Sequence, residues 1–182
     1  MIDNKVENKV ILVDKDDRQT GLMEKMEAHQ KGLLHRAFSV FIFNSKDELL
    51  IHQRSMIKYH SGGLWTNTCC SHPYPGENIS NAAVRRLQEE MGMRCVLHKA
   101  FQFTYNIPVQ NNLIEHELDH VFIGISDIHP LPDNGEVQDW KYMNMDLLAN
   151  EIQLNPEKFT VWLRQCFDQV YNYYFTIGKN GI

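Results

Sequence analysis

The chain has 182 residues, 43% of them hydrophobic and 23% charged, with a formal net charge of −5. That length suffices for one domain with a substantial core, and the acidic balance gives no reason to expect nucleic acid as a partner. With no run of 18 apolar residues and an N-terminus (Met-Ile-Asp-Asn-Lys-Val-Glu-Asn) too polar for a signal peptide, a cytoplasmic protein without a membrane segment is expected. The four cysteines, 69, 70, 95 and 166, show no CxxC pair or framework spacing and read as free thiols.

From the N-terminus, Lys9 to Val13 reads as a strand followed by an Asp-Lys-Asp-Asp-Arg turn, and Leu22 to Ala28 as a short helix carrying Lys25 towards His29. Arg36 to Phe43 and Glu48 to Gln53 are β-rich around Asn44-Ser45-Lys46-Asp47, so a hairpin is expected. A helix over about 77–93 follows, with Ser80 as its N-cap and Gly92 as its left-handed terminus. Its apolar stripe is Ile79, Ala83, Leu87 and Met91. Phe101 to Ile107 alternates as a strand does. Asn155-Pro156 provides a cap and first-turn proline for a closing helix whose apolar face is Phe159, Trp162, Leu163, Cys166, Phe167 and Val170. Helix and strand signals interleave without regular βαβ units. The expected fold is therefore a single α+β domain over residues 1–182, a mixed β-sheet flanked by helices.

Residues 65–93, WTNTCCSHPYPGENISNAAVRRLQEEMGM, carry most of the functional signal. Arg85–Glu89 and Arg86–Glu90 are spaced i,i+4, which alone describes a solvated, ion-paired helix face. Read whole, however, Glu77, Arg85, Leu87 and Glu89-Glu90-x-Gly92 resemble the Nudix box, a helix-borne carboxylate site that holds a divalent metal against a diphosphate. Ser71 stands where the leading glycine of the box would be, and Arg86 replaces the glutamate after its first arginine. The preceding loop, Thr-Asn-Thr-Cys-Cys-Ser-His-Pro, resembles the cysteine loop of type 1 isopentenyl-diphosphate Δ-isomerases, which use a Nudix scaffold to isomerise instead of hydrolyse.

His29, His35, His72, Glu115 and Glu117 form a candidate metal site drawn from separate elements. On a strand Glu115 and Glu117 share a face, and two carboxylates on one face are costly without a cation. Mixed imidazole and carboxylate ligands suit manganese, zinc or magnesium better than a soft metal. Each histidine taken singly is more often a surface or hydrogen-bonded residue; the resemblance implies that all five residues bind one ion. His116-Glu117-Leu118-Asp119-His120 also spells HExxH, the helical zinc-protease motif, and helical spacing alone does not exclude it. The β-rich run Val121 to Ile125 argues for a strand instead.

The resemblance implies a proton shuttle between isopentenyl and dimethylallyl diphosphate, two acid–base groups being needed on opposite faces of a carbocation. It implies Cys70 and Glu117 as those groups, Tyr105 as an assistant beside Glu117, and Trp162 as the aromatic facing the cation, with Trp65 a possible second wall. Cys69 reads as a small filler, although sequence alone does not rank adjacent cysteines. Lys25, Arg54, Lys58 and Arg86 are implied as the diphosphate anchor, and Glu90 as ligand of a magnesium that arrives with the diphosphate. Trp162 equally fits a core position, and Tyr105 a strand surface. The partner implied is a small isoprenoid diphosphate, with no nucleic acid or membrane, on a monomer or weak homodimer. The alternatives are a Nudix diphosphate hydrolase and, more remotely, the metalloprotease.

Overall fold

A computed structural model of the protein describes residues 8–177; the polar stretch 1–7, part of the segment read above against a signal peptide, lies outside them. The described residues form nine strands, four α-helices and two short 3-10 turns. The strands are β1 (Lys9–Val13), β2 (Gln19–Glu24), β3 (His35–Phe43), β4 (Glu48–Arg54), β5 (Trp65–Thr66), β6 (Cys69–Ser71), β7 (His98–Val109), β8 (Leu113–Ile125) and β9 (Val137–Asn144). The helices are α1 (Lys25–Lys31), α2 (Ile79–Met91), α3 (Met145–Leu154) and α4 (Val161–Thr176). Strands run in the order β2-β1-β3-β4-β5, with β6 and β8 also paired to β3, β7 to β8 and β9 to β4. The β3–β8 pair is parallel and its neighbours are antiparallel, so the sheet is mixed, as expected.

β3 explains the layering. Its sequence, HRAFSVFIF, is almost continuously buried, the pattern a strand shows when both faces are covered. Odd positions Phe41 and Phe43 pack with Leu49, Ile51, Val121 and Ile123 against Leu163, Cys166, Phe167 and Val170 of α4. Even positions Phe38, Val40 and Ile42 pack with Phe122 beneath Ala82, Ala83, Leu87 and Met91 of α2. The sheet is thus a wall between α2 and α4, and parity along β3 decides which side a residue serves. Among the described residues, no helix is long and apolar enough to cross a membrane.

Three local expectations need correction. α2 is capped by Asn78, whose side chain accepts from the backbone N–H of Ser80 and Asn81; Ser80 lies inside the first turn. Gly92 ends the helix in the left-handed region at φ 64°, and a Cβ there would collide with the Leu131 carbonyl. Leu22 to Glu24 belong to β2, paired to β1, and the helix begins only at Lys25. The expected hairpin forms, β3 and β4 pairing antiparallel at Phe43↔Leu49 across the Asn44–Asp47 turn, and the strands then splay because β3 takes β8 and β6 as neighbours and β4 takes β9. Pro156 opens a 3-10 turn, and α4 starts after Thr160.

Candidate active site

The site grows out of the odd-numbered face of β3, at the end of the sheet where the apolar filling stops. The register places Glu117 opposite both His35 on β3 and Tyr105 on β7. Glu115 and Asp119 flank it on the same face by the two-residue period. On the other edge of β3, Ser39 pairs with Cys70 and Val40 with Cys69. Adjacent cysteines therefore point to opposite sides. Cys69 is fully buried among the residues under α2, and Cys70 lines a cavity together with Glu117, Tyr105, Arg54, Lys25 and Trp162. Cys70 and Glu117 reach that cavity from opposite edges of β3.

The imidazoles are aimed by their outer nitrogens. His29 Nδ1 lies 2.6 Å from the Lys25 carbonyl and His35 Nδ1 lies 2.8 Å from the Leu33 carbonyl. A carbonyl only accepts, so Nδ1 carries the proton in each ring and Nε2 presents a bare lone pair inwards. Those Nε2 atoms sit 3.2 Å from Glu115 Oε2 and 3.6 Å from Glu117 Oε1. His29 Nε2, His35 Nε2 and Glu115 Oε2 are nevertheless buried without a hydrogen-bond partner. Convergent acceptors left unsatisfied are what a cation would complete, so the residues fit a divalent ion. One ligating atom each from His29, His35, His72 and Glu117 falls within 4.8 Å of the others, and so does a second group, His29, His60 and Glu115. Four of the five expected ligands thus form one group, and Glu115 falls in the second, which shares only His29 with the first.

The electrostatics differ between the histidines: burial works against the charged form of His29, but Glu115 holds that imidazole above its usual value. Burial, opposed by Glu117, takes the His72 imidazole down to about 3, so it is neutral, as a ligand must be. Burial works against the Glu117 carboxylate, but His35 and His72 hold it well below the usual range. Its Oε2 accepts a 2.5 Å hydrogen bond from the Tyr105 hydroxyl, and His72 Nε2 lies 2.9 Å from its Oε1. Burial pushes the Cys70 thiol up to about 12, against the Arg54 guanidinium whose NH1 lies 4.0 Å from Sγ. Cys70 is therefore a protonated thiol and Glu117 an ionised carboxylate.

Trp162 lines the cavity and is also tied into the fold. Its Nε1 donates to Thr66 Oγ1 at 2.8 Å, and the Arg54 guanidinium lies 5.1 Å from the ring centroid. Trp65 is different: it packs against the α4-side core with Lys141 over its ring, so the second-wall expectation is corrected. The basic residues divide between two connected spaces. Arg54 lines the cavity, Lys58 and Arg86 line an adjoining groove, and Lys25 and His72 line both. Arg86 pairs with Glu90, with Glu89 at 2.8 Å and with Glu136 at 3.4 Å, and Lys58 also pairs with Glu136.

Sequence reasoning missed His60, Glu136 and Asp119. Only Asp119 had a signal, because Glu115-x-Glu117-x-Asp119 puts three carboxylates on one strand face. Ser39 donates to it at 2.8 Å, and burial together with the Glu117 charge pushes its carboxyl well above the usual range. The strand also settles HExxH: His116 and His120 are about 13 Å apart along β8 and face away from Glu117, so they share no ion.

The NUDIX domain family matches residues 33–165. An isopentenyl-diphosphate Delta-isomerase of Pectobacterium atrosepticum is 51% identical over 165 residues, covering 91% of this chain and 92% of that protein. The chain belongs to the isopentenyl-diphosphate Delta-isomerase family. Isopentenyl-diphosphate Delta-isomerase 2 of Aromatoleum aromaticum is 49% identical over 91% of this chain and 87% of its own length. The Nudix fold is shared more widely. A Deinococcus radiodurans crystal structure superposes with a TM-score of 0.75 at 18% identity, covering 90% of this chain and 99% of that one. A MutT protein from Methanosarcina mazei gives 0.64 at 18% identity, covering 82% and 96%. Within the family scaffold, the box helix α2 supplies Arg86 to the groove and Glu90 as its buried partner, while the His/Glu cluster is built from α1, β3, β8 and the segment after β6.

Proposed function

We propose that the protein interconverts isopentenyl and dimethylallyl diphosphate by proton addition and removal at the cavity between Cys70 and Glu117. The observation that carries this is the register that sends Cys70, and not Cys69, into the same cavity as Glu117 from the other edge of β3. A protonated thiol and an ionised carboxylate facing one apolar substrate can deliver and accept protons at two carbons of an allylic unit. Tyr105 holds the Glu117 carboxylate and offers it a proton path, and the Trp162 face lies against the developing positive charge. Lys25, Arg54, Lys58 and Arg86 grip the diphosphate along the adjoining groove.

His29, His35, His72, Glu115 and Glu117 would hold one divalent ion, manganese, zinc or magnesium. Bound there, the ion supplies charge that keeps both carboxylates ionised and fixed. Glu90, neutralised by Arg86 in the free protein, is the residue for a magnesium carried in by the diphosphate. We read residues 1–182 as one isomerase domain, acting in the cytoplasm as a monomer or weak homodimer, in keeping with four free cysteines. The test is incubation of purified protein with isopentenyl diphosphate, following dimethylallyl diphosphate and free phosphate together. Dimethylallyl diphosphate without phosphate is expected. Phosphate release without the isomer would make the protein a hydrolase.

A further inference from the structure

His60 stands in the loop between β4 and β5, is 4% exposed, and has no part in the proton shuttle described above. Its Nε2 lies 2.8 Å from Glu115 Oε1, at hydrogen-bonding distance, while the other oxygen of Glu115 faces His29. Of the two tautomers of a neutral imidazole, only the one with its proton on Nε2 makes that contact a hydrogen bond. The ring nitrogen on the far side meets a hydroxyl, Ser61 Oγ at 3.1 Å, which can donate to it. His29 and His35 are arranged the opposite way, each with Nδ1 against a carbonyl and Nε2 bare. His60 also meets the cluster only at its margin. It groups with His29 and Glu115, whereas His29, His35, His72 and Glu117 form a group that holds neither His60 nor Glu115.

From this we infer that His60 is a positioning residue: it donates Nε2–H to Glu115 Oε1 and so leaves Oε2 as the single oxygen presented to the metal. Its surroundings fix it there. The ring stands edge-on to Trp162 at 6.0 Å and to Tyr59 at 4.4 Å, and its carbonyl oxygen lies 3.4 Å from Arg54 NH2. Ser61 is held in the left-handed region at φ 53°, with its N–H donating to Gln110 Oε1 at 3.0 Å. One loop residue thus joins the His/Glu cluster to the tryptophan wall and the arginine of the diphosphate anchor. The inference rests on the metal-centre reading above.

The test is metal affinity, measured on stripped protein by titration with Mn2+ against a competing chelator, and the absorption of the Co2+-substituted protein. His60→Ala should weaken binding about ten- to a hundredfold, the usual effect of losing an outer partner of a ligand. His60→Gln, whose amide can donate to the same oxygen, should recover most of that loss and leave the cobalt bands in place. Wild-type affinity in His60→Ala would overturn the inference. Shifted cobalt bands, or no recovery in His60→Gln, would overturn it by making His60 a ligand. Far-UV circular dichroism of each stripped variant reports folding before any metal is added, and an unfolded His60→Ala leaves the decision to His60→Gln. Failure of the wild type to bind one Mn2+ would instead sink the metal centre itself.

Discussion

Replacing Arg86 with alanine should change stability and substrate affinity by separate physical routes. Glu90 is only 4% exposed, and its partner is the Arg86 guanidinium. Removing one member of a buried pair costs about 3–5 kcal/mol because the other charge stays behind; with the Arg86 side chain 19% exposed, about 2–3 kcal/mol is the reasonable figure. For a domain of this size that lowers Tm by about 4–12 °C. Separately, losing an arginine from the diphosphate groove should raise KM about ten- to a hundredfold, equivalent to about 1.4–2.8 kcal/mol. The change in kcat should be smaller, since the diphosphate is held alike in ground and transition states. Arg86→Lys separates the two effects. Its ammonium still faces Glu90 and restores most of the stability, but it lacks the planar fork, so KM stays raised. Urea denaturation and steady-state kinetics on both variants are the measurements. A destabilised Arg86→Ala with wild-type KM would show that Arg86 is only a clamp on Glu90, and the anchor assignment would fall.

Other outcomes follow from the same geometry. Cys70→Ala should abolish turnover with an unchanged unfolding curve, whereas Cys69→Ala should keep turnover and lose about 1 kcal/mol of packing under α2; the reverse pattern in a product assay would refute the register argument. Stripping the divalent metal should stop activity. It should also lower Tm, because a ligand present at 100 times its Kd stabilises by about 2.7 kcal/mol, or about 5–11 °C here; calorimetry showing identical curves with and without chelator would refute the centre. Trp162→Phe removes the indole while Thr66 keeps its contact with Thr160, so the fold should persist and kcat fall roughly three- to thirtyfold. An unchanged kcat would reduce Trp162 to packing.

What the sequence disclosed was what period and motif encode. Strand alternation placed Glu115 and Glu117 on one face, and helical spacing found the buried stripe of α2. What it did not disclose depends on contacts between distant segments. β9 has a mostly exposed or half-buried sequence, VQDWKYMN, and is a strand because β4 offers it an edge. Cys69 and Cys70 were indistinguishable until β6 was registered on β3. His60 and Glu136 lie in irregular segments with no periodicity to read, and each acquires a role only through a partner far along the chain, Glu115 for one and Arg86 for the other. The Asn155-Pro156 signal marked a real helical start, but of a 3-10 turn.

The arrangement also explains why a hydrolytic helix is harmless to this diphosphate. Every carboxylate left on the box helix or just before it is engaged by an arginine. Glu77 accepts two bonds from Arg85, at 2.8 and 2.7 Å; Glu89 lies between Arg85 and Arg86; Glu90 is paired to Arg86. Cutting a diphosphate by this route needs several carboxylates free to gather metal around an attacking water. Arg86 opposes that twice, by removing one carboxylate from the helix and by neutralising another. The charge it brings is positive and lies in the groove, where it favours binding of an anion over attack on it. Meanwhile the residues of the His/Glu cluster come from α1, β3, β8 and the segment after β6. On the proposed reading, the scaffold keeps the diphosphate-holding half of its site in the groove beside Arg86 and places its proton chemistry in the adjoining cavity between Cys70 and Glu117, the two spaces sharing Lys25 and His72.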